Sequence, residues 1–175
     1  PGGTNAITGV LGQWLDSAPA LYLSGQVKFE TTIASDPDNP LRQLGDQEIN
    51  IVDIVKPITK YAKMILSPEE IGIELDKAIG IATSGRPGPV WLDIPADVQG
   101  AMIDETSLPT GPSIDKESTL DMAQLSEVVD ELQKAERPLF VAGHGIRLSK
   151  SESLFLELVE QLKIPVVTTF NGMDL

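Results

Sequence analysis

Four short runs of consecutive apolar residues punctuate the chain, at residues 20–24, 90–94, 139–142 and 166–170. Short unalternating runs of this kind predict strands buried on both faces, as in parallel sheets. A fifth strand is predicted at residues 60–66. Between the runs the apolar spacing changes to that of helices. Ala6, Ile7, Val10, Leu11, Trp14 and Leu15 share one face of a helix expected to open at Thr4 or Asn5. Ser67-Pro68-Glu69-Glu70 carries a helix-start signal, with Ser as N-cap, Pro at the first helical position and Glu at the third. The stripe Ile71, Leu75, Ala78, Ile79, Ala82 follows, and Gly85 with Pro87 is expected to close that helix. Two more stripes run through Met122, Leu125, Val128, Val129, Leu132 and through Leu154, Phe155, Leu158, Val159, Leu162. The second sits behind Ser149 and Glu152, a capping-box pair. Strand and helix alternate throughout, which predicts an α/β architecture of parallel-sheet, three-layer sandwich units with right-handed crossovers.

The rhythm breaks between Val98 and Ser118, where Pro109, Gly111 and Pro112 lie in a stretch without a periodic apolar face. This is linker composition. The expected organisation is a first unit over residues 1–97, a linker over 98–118 and a second unit over 119–175. The second unit holds two predicted strands and two predicted helices, too few to cover a parallel sheet on both faces, so it is expected to be truncated. The chain also opens on Pro1 without an initiator Met, and it closes just past a predicted strand. Both ends are expected to lie inside a longer protein. Residues 27–44 form a long predicted loop containing Asp36-Pro37-Asp38-Asn39-Pro40. Loops longer than about 12–15 residues are usually functional or mobile, and a plain surface excursion carries equal weight here.

Composition narrows the function classes. The 175 residues include 13 Lys and Arg against 26 Asp and Glu, a net charge of −13. That balance disfavours nucleic acid and anionic membrane surfaces, both of which reward a basic face. Hydrophobic residues at 41% place the chain among globular proteins. No apolar run approaches the roughly 18–20 residues of a membrane span. The chain has no Cys and a single His, which excludes disulfides and thiolate sites and disfavours zinc. Absence of Cys fits a reducing, cytoplasmic setting.

Candidate chemistry is sparse. Pro1-Gly2-Gly3-Thr4-Asn5 leads into the first helix and reads first as an ordinary capped helix start, and only second as a Gly-rich turn that permits close main-chain approach of a ligand. Gly143-His144-Gly145 follows a predicted strand, the setting of a dinucleotide-binding turn, but the third glycine of that fingerprint is replaced by Leu148. His144 reads first as a solvated loop histidine and only second as a general base. Arg86, between a helix and a strand, offers a fork of donors suited to phosphate or carboxylate. The acidic residues of Asp46-Gln47-Glu48 are expected to complement the dipole of a helix starting at the apolar stretch 49–55.

Taken in order, these segments resemble the acetolactate synthase-like group of thiamine diphosphate enzymes. The likeness is carried by Pro1-Gly2-Gly3-Thr4-Asn5, Ser24-Gly25-Gln26-Val27, Gln47-Glu48, the stretch 82–90 around Arg86, and Leu92-Asp93-Ile94-Pro95, and it continues through residues 138–146 and 164–172. It implies the C-terminal part of a pyrimidine-binding domain of the thiamine diphosphate-binding fold, followed by the start of a Rossmann-like middle domain. It further implies thiamine diphosphate and Mg2+ as cofactors, with FAD in some members, a 2-keto acid or related carbonyl as substrate, and a homodimer or homotetramer. By the same resemblance Pro1, Gly2 and Asn5 would lie beside the pyrimidine ring, and Gln47 would reach cofactor or substrate. Arg86, Gly143 and Gly145 would contact a flavin nucleotide. The activating glutamate would lie upstream of Pro1, and the metal- and diphosphate-binding domain downstream of Leu175, so the chain alone is expected to be inactive.

The chain departs from the family pattern at three places. Asp46 stands where an aromatic residue is common, Ala96 where a lysine is common, and Thr169-Phe170-Asn171-Gly172 where a Leu-Gln-Gly pattern is familiar. These leave open a lyase, a decarboxylase, a diketone hydrolase or a sugar- or polysaccharide-linked enzyme. A non-catalytic nucleotide-binding or assembly module is the competing class. An NAD-dependent oxidoreductase ranks below both, lacking the third glycine and an identifiable acidic ribose partner.

Overall fold

A computed structural model describes residues 2–39, 41–111, 114 and 121–175. The chain divides into two compact units, Pro1–Glu117 and Ser118–Leu175. In the first, a short 3-10 turn (Gly2–Ala6) runs into helix α1 (Ile7–Asp16), followed by strand β1 (Ala20–Gln26). Helix α2 (Ile51–Val55), strand β2 (Tyr61–Met64), helix α3 (Ile71–Thr83), strand β3 (Pro89–Pro95) and the single turn α4 (Ala96–Gln99) complete its regular elements. The three strands form one sheet in the order β1-β3-β2, with both pairings parallel. The register sets Tyr22 beside Trp91, Ser24 beside Asp93 and Gln26 beside Pro95.

Helices cover both faces of this sheet, giving three layers. On one face Val90 and Leu92 pack with Ile65 and with Ala78 and Ala82 of α3. On the other, Trp91 packs with Val10 of α1 and with Ile51 and Val55 of α2. All of these side chains are at most 4% exposed. Each large one contributes about 1.5–3 kcal/mol through burial.

Burial of the strands is less complete than their apolar sequences predict. Only β3, the central strand, is covered on both faces. β1 is an edge strand and alternates, with Leu21 36% and Leu23 58% exposed while Tyr22, Ser24 and Gln26 turn inward. An apolar run therefore reads alike for a central strand and for an edge strand whose outer face is open.

Helix starts also differ from expectation. Neither Thr4 nor Asn5 caps α1, because a 3-10 turn precedes it and its N-cap is Ala6. Ser67 does precede a 3-10 turn (Pro68–Glu70) that feeds α3, but its hydroxyl bonds the Glu69 carboxylate instead of a backbone N–H. At the other end of α3, the Lys60 ammonium donates to the carbonyls of Ile81, in the last turn, and of Ser84, the C-cap, whose own hydroxyl also donates to the Ile81 carbonyl. Burial lowers the Lys60 pKa.

The segment with linker composition is held against α3. Gly111 N–H donates to the Asp76 carboxylate at 2.8 Å. A Cβ on Gly72 would sit 2.9 Å from the Pro109 carbonyl oxygen, and one on Gly80 2.9 Å from the Ile114 side chain. Val98 belongs to the core beside Leu92. Residues 112, 113 and 115–118 of the expected linker lie outside the described residues, as do 119 and 120 at the expected start of the second unit.

The second unit contains helix α5 (Met122–Lys134), strand β4 (Phe140–Ala142), the short helix α6 (Gly145–Leu148), helix α7 (Glu152–Leu162) and strand β5 (Val166–Thr168). β4 and β5 pair in parallel. Asp121 caps α5 through its carboxylate, accepting from Ala123 and Gln124 N–H. The Ser149–Glu152 capping box does not form: Ser149 ends α6 and its hydroxyl bonds the Ile146 carbonyl, while Ser151 precedes α7. Among the described residues Ala142 is the one buried apolar side chain of this unit, and Val141 and Leu154 are about two-thirds exposed.

Candidate functional site

A cleft of about 360 Å3 opens in the first unit beside β1, between the 3-10 turn at Gly2 and Gly3 and the segment carrying Gln47 and Ile49. Its wall is the inward face of β1 and β3. Tyr22 and Trp91, paired in register, stack with their ring centroids 5.1 Å apart and nearly parallel. Deeper in, the Trp91 indole N–H donates to Ser24 Oγ at 2.7 Å, and Ser24 Oγ donates to Asp93 Oδ1 at 2.5 Å. Gln26 Nε2 donates to Asp93 Oδ2 at 2.9 Å and to the Ile49 carbonyl at 2.8 Å. Asp93 is fully buried. Burial pushes its carboxyl pKa up, and the hydrogen bonds from Ser24 and Gln26 offset only part of that rise.

The loop that delivers Gln47 is organised by its neighbour. Glu48 does not serve a helix start; Asn50 caps α2, accepting from Asp53 N–H. Its carboxylate accepts instead from the backbone N–H groups of Ile33 (2.6 Å), Leu44 (3.0 Å) and Gly45 (3.1 Å), tying two parts of the long loop together. Burial raises the Glu48 pKa, but the three N–H donors outweigh it and hold the group below the usual carboxylate range. Gln47 itself adopts a left-handed backbone with φ 59°. For a side chain other than glycine this is an uncommon conformation, and such residues concentrate at functional sites.

Of the residues singled out from sequence, Gly2 and Gln47 line this cleft. Pro1 lies outside the described residues. Asn5 is exposed and is not among the lining residues. Arg86 sits elsewhere in the first unit, in a cavity of about 310 Å3 with Trp14, Leu15, Lys60 and Pro87. Its Nε donates to Ser17 Oγ at 2.6 Å, at the left-handed turn that ends α1. Gly143 and Gly145 belong to the second unit, around the turn between β4 and α6. The tighter glycine there is Gly172, where a Cβ would meet the Ala142 carbonyl oxygen at 2.8 Å. Among the described residues no cluster of three His, Asp or Glu side chains is arranged to hold a metal ion.

Sequence reasoning noted Ser24, Gln26 and Asp93 as parts of recognisable segments but did not see them as a site, and it passed over Trp91. The signal was present. Tyr22, Ser24 and Gln26 alternate along a strand, and Asp93 interrupts an apolar run two residues after a tryptophan.

An α/β unit with a cleft beside its parallel strands, walled by aromatic rings, polar side chains and the buried Asp93, has the usual setting of a small-molecule or cofactor site in such folds. Comparison with known proteins sharpens this. Residues 125–175 match the family described as thiamine pyrophosphate enzyme, central domain. The chain is 37% identical to the probable acetolactate synthase large subunit of Methanocaldococcus jannaschii over 98% of its own length and 28% of that protein's. It is 37% identical to the acetolactate synthase large subunit of Lactococcus lactis over 99% of its length and 29% of the relative's. In fold it superposes with a TM-score of 0.76 on a Mycobacterium smegmatis protein provisionally classed as a thiamin diphosphate-dependent enzyme. That match has 20% identity and covers 97% of this chain and 31% of the other. The second unit thus matches the central domain of thiamine pyrophosphate enzymes, and the chain is similar along nearly its whole length to acetolactate synthase large subunits. It spans under a third of the length of these curated relatives.

Proposed function

We propose that the cleft beside β1 receives the aminopyrimidine end of thiamine diphosphate, in an enzyme that acts on a 2-keto acid by carboligation or decarboxylation. The observation that carries this is the meeting of the Gly2–Gly3 turn and Gln47 at one cleft. The donor set fits an aminopyrimidine. The Tyr22–Trp91 stack offers an aromatic wall, and the Gln47 amide can both donate and accept. Asp93 is the one carboxyl among the lining residues, and both its oxygens are engaged by Ser24 and Gln26, so the cleft presents neutral groups to a neutral ring. Bound thiamine diphosphate supplies an electron sink next to the carbonyl carbon of the substrate. The chain's residues orient the ring, and the aromatic wall keeps water from one side of it.

In this reading the first unit is part of the pyrimidine-binding domain and the second begins the central domain. Mg2+ accompanies the cofactor. Arg86, Gly143 and Gly145 remain proposed contacts for a flavin nucleotide, each within its own unit. Arg86 is supported by its place in a cavity with Trp14, since a guanidinium fork beside an aromatic ring suits a nucleotide. A homodimer or homotetramer is supported by the open apolar face of β1 at Leu21 and Leu23.

The test is turnover of a panel of 2-keto acids by the full-length protein that carries this chain, with thiamine diphosphate and Mg2+. Carbon dioxide release that depends on the cofactor is the expected result. No release from any member of the panel, or release indifferent to thiamine diphosphate, overturns the reading. Residues 1–175 alone are expected to show no turnover.

A further inference from the structure

We infer that Gln26 is the positioning residue of the cleft, a clamp that holds the Gln47 segment against the sheet and so sets cofactor affinity without touching the reacting atoms. This rests on the reading above that the cleft is the cofactor site.

The hydrogen bonds fix the Gln26 amide without ambiguity. Nε2 faces two acceptors, Asp93 Oδ2 and the Ile49 carbonyl, and Oε1 faces one donor, the Val27 N–H at 3.0 Å. A flipped amide would oppose oxygen to oxygen twice and nitrogen to N–H once. Asp93 is in turn held by Ser24, and Ser24 by Trp91, so the clamp is anchored in the core of the sheet. From that anchor a single N–H reaches across to Ile49, two residues after Gln47 and one before the cap of α2. Sequence-distant parts of the unit, β1, β3 and the end of the long loop, are joined at one side chain.

A second cavity, of about 380 Å3, shares Gln26 and Ile49 with the cleft and is otherwise lined by apolar groups such as Phe29, Met64 and Leu66 together with Glu48, Asn50, Asp53 and Lys63. The Gln26–Ile49 bond therefore partitions the two. Losing it frees Ile49 and lets them merge, which moves Gln47 off its ligand. Glu48 organises the same loop from its other side, through Ile33, Leu44 and Gly45. The clamp at Gln26 is what ties that loop to the strands.

The test compares Gln26→Met, Gln47→Ala and the double variant in the full-length protein. Backbone amide exchange of residues 44–50 is expected to quicken about tenfold in Gln26→Met, with β1 and β3 unchanged. The concentration of thiamine diphosphate that half-saturates activity is expected to rise about tenfold in each single variant, and by less than about twofold more in the double, because both lose one interaction. Unchanged exchange over 44–50, or effects that multiply in the double variant, overturns the inference. Gln26→Met leaves a buried carboxyl short of a donor, so Gln26→Met/Asp93→Asn, which removes the charge and keeps an oxygen acceptor for the Ser24 hydroxyl, serves as the second variant with the same expectations. If the unaltered protein shows no calorimetric binding of thiamine diphosphate, the cofactor reading fails, and exchange over 44–50 still decides whether Gln26 is a clamp.

Discussion

Tyr22 and Trp91 face each other across adjacent parallel strands with their rings 5.1 Å apart and 5° from parallel. The pair is both core and cleft wall. Trp91 is 1% exposed and contacts Val10, Ile51 and Val55 behind the wall, while its indole N–H anchors Ser24. Trp91→Phe keeps the stack and drops the hydrogen bond, and is expected to destabilise the protein by about 1 kcal/mol. Trp91→Ala empties the wall and is expected to cost about 3–5 kcal/mol. Urea unfolding curves of the two variants check both values, and equal losses would contradict this account of the pair.

Lys60 predicts an effect at a distance. It lies just before β2, yet its ammonium closes the last turn of α3 at Ile81 and Ser84. Lys60→Met keeps the stem and removes the donors, and a loss of about 1.5–3 kcal/mol is expected. Faster amide exchange confined to the last turn of α3 would locate the effect.

Acid sensitivity follows from Glu48. Its folded pKa is depressed, so its contribution to stability is complete above the ordinary carboxylate pKa of about 4.3 and is lost as pH falls through the lower folded value. Asp93 has the opposite sign. Its raised folded pKa means that its ionisation costs stability as pH rises through that value. Glu48→Gln is therefore expected to flatten the acid limb of a melting-temperature profile. Asp93→Asn is expected to leave the acid limb in place. A profile of Glu48→Gln that keeps the full acid limb would count against Glu48 as its source.

The strap along α3 rests on the absence of side chains. A Cβ at Gly72 would press on the Pro109 carbonyl oxygen at 2.9 Å. Gly72→Ala gains helix propensity of up to about 1 kcal/mol but must push the strap away. The expected result is little change in melting temperature together with faster proteolytic cleavage within residues 100–111. A cleavage rate equal to that of the unaltered protein would show that the strap tolerates the methyl group.

Much of this fold could be read from the chain beforehand, for identifiable reasons. The strands at 20, 90, 139 and 166 announce themselves because apolar runs between helical stripes have few other uses. Gly2 and Gln47 could be named as candidates, and they do line one cleft. The network beneath them could not. Asp93 and Ser24 are 69 residues apart, and only strand register brings them together. Coverage was illegible for a related reason. Leu23 and Leu92 look alike in sequence, and which of them is buried depends on which strand occupies the middle of the sheet. Capping failed where neighbours competed, as when Ser149 was taken by the end of α6 before α7 could use it.

The left-handed backbone at Gln47 has a consequence for how this sequence can vary. A residue with a Cβ held at φ 59° carries a standing conformational cost of about 1 kcal/mol, which a glycine would not carry. Glycine would thus fit the loop better but would remove the amide from the cleft. Under the proposed cofactor reading, stability alone would favour glycine at position 47 and binding would favour the amide, so this is the position at which a thermostabilised variant would be expected to trade affinity for stability.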